Sequence, residues 1–119
     1  MPSPLLLAHS DLQPAGFREV SPLAVLPHLG ELHLVDVREP DEFTGELGHV
    51  AGAELVPLGD VAASAAGWDR EAPLVVLCRS GGRSGRAATA LEQLGFKRVA
   101  SMAGGMLRWN ALGQPVARS

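Results

Sequence analysis

The feature that most constrains the fold is Leu74-Val75-Val76-Leu77, four branched apolar residues in a row that lead directly into Cys78-Arg79-Ser80-Gly81-Gly82. A strand without polar alternation has both faces covered, which is the habit of parallel sheets flanked by helices. Helical spacing follows it. From Arg83 to Leu94, the residues Ala87, Ala90, Leu91 and Leu94 recur at i, i+3, i+4 and i+7, and Gly95 stands where a helix ends. A buried strand, a glycine turn and an amphipathic helix thus form one unit.

The same alternation is read along the rest of the chain. Residues 1–15 are proline-rich and read as an irregular lead-in to a short strand, Phe17 to Val20. Ser21-Pro22 reads as an N-cap and first helical residue, opening a helix to about His28 that Gly30 ends. Strands are expected at Leu32 to Val37, Ala53 to Val56 and Val99 to Met102. Helices are expected at Pro40 to Phe43, Val61 to Ala66 and Met106 to Leu112, the last carrying Trp109 after a Gly104-Gly105 turn. The expectation is an α/β fold in one domain, 1–119, with a mainly parallel central sheet of about five strands and helices on both faces. At 119 residues the chain suffices for one hydrophobic core and not for two.

Charge and cysteine content narrow the function. A formal net charge of −3 argues against a nucleic-acid partner, which calls for a basic excess to neutralise phosphates. Locally the sign reverses: Pro73 to Leu91 contains no acidic residue but holds Arg79, Arg83 and Arg86, so this stretch attracts anions. Arg86, one turn into the helix, is read as facing water. One cysteine excludes an internal disulfide framework and a cysteine-built zinc site, and His9, His28 and His33 lack metal-ligand spacing. No metal or cofactor is expected. The run Leu5-Leu6-Leu7-Ala8 is short for a signal sequence and lacks a basic flank, and no stretch approaches the ~20 apolar residues of a membrane helix. A cytoplasmic location without a membrane partner is the expectation.

In parallel sheets, ligands bind beyond the carboxyl ends of the strands, which places Cys78 and the loop Arg79-Ser80-Gly81-Gly82-Arg83-Ser84 at the functional edge. Gly81 and Gly82 let successive N–H groups turn inward as an anion-binding nest, and the helix that follows adds partial positive charge. A lone cysteine is usually a small buried hydrophobe. Here amides, helix end and guanidinium groups all favour its thiolate, the reactive form. Cys78 is therefore the candidate nucleophile, and Arg79, Ser80, Gly81, Gly82, Arg83 and Ser84 are the candidate substrate-binding residues. The expected geometry is a shallow pocket with Cys78 at its base and the loop amides around it. Asp36 and Arg38 are read as scaffold, in a mutual or backbone-directed polar pairing at a strand end, His49 as a structural histidine, and the tryptophans as packing residues.

Four segments in order resemble the rhodanese-like domain family: Val35-Asp36-Val37-Arg38-Glu39, Gly48-His49-Val50-Ala51-Gly52-Ala53 with Pro57-Leu58, the loop from Cys78 to Ser84, and Ala103-Gly104-Gly105-Met106 with Trp109. The resemblance implies a two-step sulfurtransferase. Cys78 would take the outer sulfur of thiosulfate or a similar small anionic donor as a persulfide, then pass it to cyanide, a thiol or a sulfur-accepting protein. A protein-to-protein persulfide carrier uses the same residues and is the alternative. A cysteine phosphatase or arsenate reductase of related fold is the remaining rival. Such enzymes require arginine six positions after the cysteine, where this chain has Ser84, with Arg83 one residue early.

Overall fold

The computed structural model describes residues 10–12 and 17–118. Six strands make one sheet: β1 (Ser10–Leu12), β2 (Arg18–Val20), β3 (His33–Asp36), β4 (Glu54–Leu55), β5 (Leu74–Leu77) and β6 (Val99–Met102), in the order β1-β2-β6-β5-β3-β4. β2 through β6 pair in parallel, and β1 is an antiparallel edge with Ser10 opposite Val20. β5 lies at the centre, with Val76 opposite both Val35 and Ser101. Five helices follow the strands: α1 (Pro22–Val25), α2 (Pro40–Phe43), α3 (Val61–Ala65), α4 (Gly82–Gln93) and α5 (Gly105–Ala111).

Alternation along β5 divides the core in two. Leu74, Val76 and Cys78 join Val61 and Ala65 of α3 and Ala87, Ala88 and Leu91 of α4 on one face. Val75 and Leu77 join Val25 of α1 and Met106 and Trp109 of α5 on the other. All four β5 residues are buried, as expected of a strand with helices on both sides. Trp109 has no exposed surface, and its indole N–H donates to Pro115 O at 2.8 Å.

Three expectations needed correction. The helix opened by Ser21, whose side chain accepts from the Leu23 amide at 3.1 Å, is a single turn; a 3-10 helix, Leu26–Glu31, continues it and contains Gly30. Pro27 is the physical reason, since it has no N–H for the α ladder and crowds the preceding turn. The lead-in is not wholly irregular, because Ser10–Leu12 pairs with β2, while residues 1–9 and 13–15 lie outside the described residues. β4 is only two residues long; Pro57 has no N–H to extend the ladder, and the Leu58 amide beyond it donates to Val37 O at 3.0 Å. Among the described residues, no helix is long and apolar enough to cross a membrane.

Candidate active site

β5 delivers Cys78 to the carboxyl end of the sheet, and Gly81, at φ +111°, turns the chain into α4. The left-handed angle costs glycine little and a substituted residue much more. That turn aims the Gly81 amide at Cys78 Sγ, 3.0 Å away, and the amides of Ser80 and Ser84 also point to the sulfur. Ser84 Oγ lies 3.5 Å from Sγ. Burial alone pushes the Cys78 thiol up. The Ser84 hydroxyl and the amides of Ser84, Gly81 and Ser80 outweigh burial, and the thiol is held below its ordinary value.

The loop is held from behind by α5. The amides of Met106 and Leu107 donate to the carbonyl oxygens of Cys78 and Arg79 at 2.9 and 3.0 Å. Carbonyls that point back into α5 leave the amides that follow free to turn toward the sulfur. Gly105 permits the approach: a Cβ there would stand 2.4 Å from Cys78 O and 2.6 Å from Arg79 O. The Gly104-Gly105 pair is thus a second wall of the loop.

The candidate binding residues do not all converge on the sulfur. Ser80, Gly81 and Ser84 meet it through their amides, and Ser84 through its hydroxyl as well. Gly82 opens α4 and is exposed. Arg83 turns away to Glu42 of α2, with Nη1 to Oε1 at 2.7 Å and Nη2 to Oε2 at 2.8 Å. Arg79 is exposed and lines a cleft of about 370 Å³ together with Asp41, Glu42, Glu46 and Leu107. Cys78 is only 1% exposed and does not line that cleft, so in place of the expected shallow pocket with Cys78 at its base the sulfur lies in a closed cradle. The Gly81 amide and Ser84 hydroxyl sit in contact with Sγ.

Asp36 and Arg38 form a buried pair, with Nη2 to Oδ2 at 2.6 Å and Nε to Oδ1 at 2.9 Å. Arg38 also donates to the carbonyls of Gly48 and Glu42, tying β3 to α2 and to the glycine turn before β4. His49 stacks on Phe43 and bonds its carbonyl oxygen at 2.8 Å, a structural placement. Among the described residues, no group of three or more His, Cys, Asp or Glu side chains could hold a metal.

Two contributors escaped sequence reasoning. Glu42 carried a visible signal only as a helix cap, bonding the Glu39 amide at 3.0 Å. Ser101 is the one hydroxyl in the apolar run Val99-Ala100-Ser101-Met102, and its Oγ lies 2.7 Å from Ser84 Oγ. A polar residue in a fully buried strand was the available clue.

A model of the rhodanese-like domain family matches residues 21–112. A thiosulfate sulfurtransferase of Pseudomonas aeruginosa, GlpE, is 38% identical over 79 residues, covering 66% of this chain and 70% of that protein. YrkF of Bacillus subtilis, named a putative sulfur carrier protein, is 36% identical over 78 residues, covering 66% and 41%. The crystal structure of a rhodanese-related protein from Thermoplasma volcanium shares the fold at TM-score 0.78 and 26% identity, over 85% of this chain and 98% of that one. The chain spans 41% to 59% of the length of three of the curated relatives it matches.

Proposed function

Because this chain belongs to the rhodanese-like domain family, we propose that it is a sulfurtransferase that carries sulfane sulfur as a persulfide on Cys78. The observation that carries the reading is the Gly81 amide 3.0 Å from Cys78 Sγ, with the Ser80 and Ser84 amides turned the same way. Donors fixed on a sulfur stabilise negative charge there before any substrate arrives.

The Cys78 thiolate attacks the outer sulfur of thiosulfate or a similar anionic donor. A new S–S bond forms, the donor's S–S bond breaks, and sulfite leaves with the electron pair. Cyanide or a thiolate then attacks the outer persulfide sulfur, and the electrons of that bond return to Cys78. Splitting one transfer into two through a covalent intermediate is nucleophilic catalysis. The loop amides serve both steps, since the negative charge passes from Cys78 Sγ to the outer persulfide sulfur in the first and returns to Sγ in the second.

The closed cradle favours a second reading, a persulfide relay between proteins. Cys78 is 1% exposed, and Arg83 is engaged with Glu42, so the exposed Arg79 is the remaining cation of the loop. A protein donor supplies its own docking contacts and needs less charge at the loop.

Intact mass after mixing with thiosulfate, followed by thiocyanate formation on adding cyanide, tests the proposal beside Cys78→Ser. Gain of one sulfur atom and turnover in the wild type alone supports it. Sulfur gained only from a persulfidated protein selects the relay. No gain from either donor discards both.

A further inference from the structure

Ser101 stands on β6, outside the loop, and has no exposed surface. Ser84 Oγ, 2.7 Å away, is its one side-chain partner among the described residues. Ser84 Oγ in turn reaches the Gly81 carbonyl oxygen at 3.2 Å and Cys78 Sγ at 3.5 Å.

The protons can be counted. Ser84 has one to give, and its oxygen accepts two hydrogen bonds. The Gly81 oxygen only accepts, and so does a thiolate. If Ser84 gave its proton to Ser101, both acceptors would lose it and the Ser101 proton would have no partner. The arrangement that serves every group has Ser101 donating to Ser84, because a buried hydroxyl left unpaired is costly.

We propose that Ser101 is a positioning residue for Cys78: its hydroxyl donates to Ser84 Oγ and leaves the single Ser84 proton free to turn from the Gly81 carbonyl to the sulfur when Cys78 ionises. The proposal rests on the reading of Cys78 as a thiolate nucleophile. In the thiol form, S–H donates to Ser84 and Ser84 donates to Gly81. On ionisation the thiol proton passes to water, the Ser84 O–H bond stays intact and rotates, and Ser101 keeps its bond in both states. No heavy atom has to move, so the cradle is prepared for the charged sulfur.

The charged groups around the relay are Arg79 and Arg83 of the loop, Glu42 of α2 bonded to Arg83, the Asp36–Arg38 pair at the end of β3, the exposed Arg86 of α4, and Glu19 of β2, which stands opposite Ser101 in the sheet register. On the side of α5, Arg108 is exposed, and β6 presents the neutral Ser101. Replacing Ser101 changes none of these charges.

The test is the pH profile of Cys78 alkylation by iodoacetamide, followed by intact mass on a chain with a single cysteine. Ser101→Ala leaves the Ser84 hydroxyl unanchored, so its bond to the ionised sulfur weakens; the profile moves to higher pH and alkylation near neutrality slows by roughly threefold to tenfold, at most the worth of that Ser84–sulfur bond. At high pH, where both proteins are fully thiolate, the rates converge. Ser101→Thr keeps the hydroxyl and the wild-type profile. In a Ser84→Ala background, which lacks the intermediary, Ser101→Ala adds nothing. An unmoved profile in Ser101→Ala, or the same shift with and without Ser84, overturns the proposal. Should Ser101→Ala not fold, the equal-sized pair Ser101→Val and Ser101→Thr gives the same comparison. Alkylation needs no sulfur donor, so failure of sulfur transfer is read separately, as absence of a mass gain with thiosulfate.

Discussion

Arg83 and Glu42 meet face to face, Nη1 on Oε1 at 2.7 Å and Nη2 on Oε2 at 2.8 Å, and so join the first turn of α4 to α2. Two-pronged pairing of this kind fixes geometry as well as charge. Its consequence for the site is that one loop arginine is neutralised beside the sulfur, and the field met by an anionic donor is weaker than two free guanidinium groups would make.

Glu42→Gln removes that counter-charge and keeps a side-chain oxygen for the Glu39 amide. The expected outcome is a KM for thiosulfate lower by roughly twofold to fivefold, with kcat changed less, because a charge at the rim acts on encounter more than on chemistry. Steady-state thiocyanate formation measures both constants. A KM that stays put or rises means that Glu42 aims Arg83 at the donor instead of withholding it.

The same pair predicts an acid-sensitive contribution to stability. The hydrogen bond from Arg83 is the main cause holding the Glu42 carboxyl at about 2, against desolvation and aided by the Glu39 backbone and the Arg83 and Arg38 charges. A carboxyl depressed in the folded state stabilises the fold fully above its unfolded value of 4.5, and that contribution is lost as pH falls toward 2. The wild type should exceed Glu42→Gln by on the order of 1 kcal/mol at pH 6, the pair being partly solvated. Urea unfolding at pH 6 and near pH 2 checks this: the two proteins should converge at the lower pH, and a gap of constant size would contradict the assignment.

Gly105→Ala places a methyl group 2.4 Å from Cys78 O at a backbone φ of +57°. Strain and overpacking together should cost about 2–4 kcal/mol. The loop carbonyls must also retreat from α5, so iodoacetamide alkylation of Cys78 should slow. Urea denaturation and alkylation rate are the two readouts, and wild-type values in both would show that α5 does not brace the loop.

Arg38→Met strands the buried Asp36 carboxylate and removes the bonds to Gly48 O and Glu42 O. Breaking one side of such a pair should cost about 3–5 kcal/mol. The double variant Asp36→Leu/Arg38→Met should be less destabilised than Arg38→Met alone, since no unpaired charge then remains. Equal losses in single and double variants would mean that Arg38 matters through its backbone bonds and not through the ion pair.

Elements with a dense local signal were legible residue by residue. Leu74–Leu77, Pro40–Phe43 and Val99–Met102 lie where branched residues or a proline start placed them. The scaffold role of Asp36 and Arg38 was also legible from their place at a strand end, while the choice between each other and backbone partners was left to the fold, which supplies both. Signals that depended on balance were misread. Ser21-Pro22 announces a helix correctly, but Pro27, five residues on, ends the α-helix at Val25. Ser10–Leu12 has no periodicity to recognise, and it becomes a strand because β2 offers it an edge.

By itself the sequence determined the alternation of strands and helices, the burial of β5 on both faces and the position of Cys78 at its carboxyl end. These follow from apolar period, branching and glycine or proline stops, all of which act within a turn or two of chain. Only the tertiary structure decided that Arg83 bonds Glu42, 41 residues away, and that Ser84 is backed by Ser101, 17 residues away. It also decided that the sulfur lies in a closed cradle and not at the base of a shallow pocket. The physical reason is common to all three: hydrogen bonds and ion pairs act over a few ångströms of space, and folding sets those distances without leaving a pattern in the order of residues.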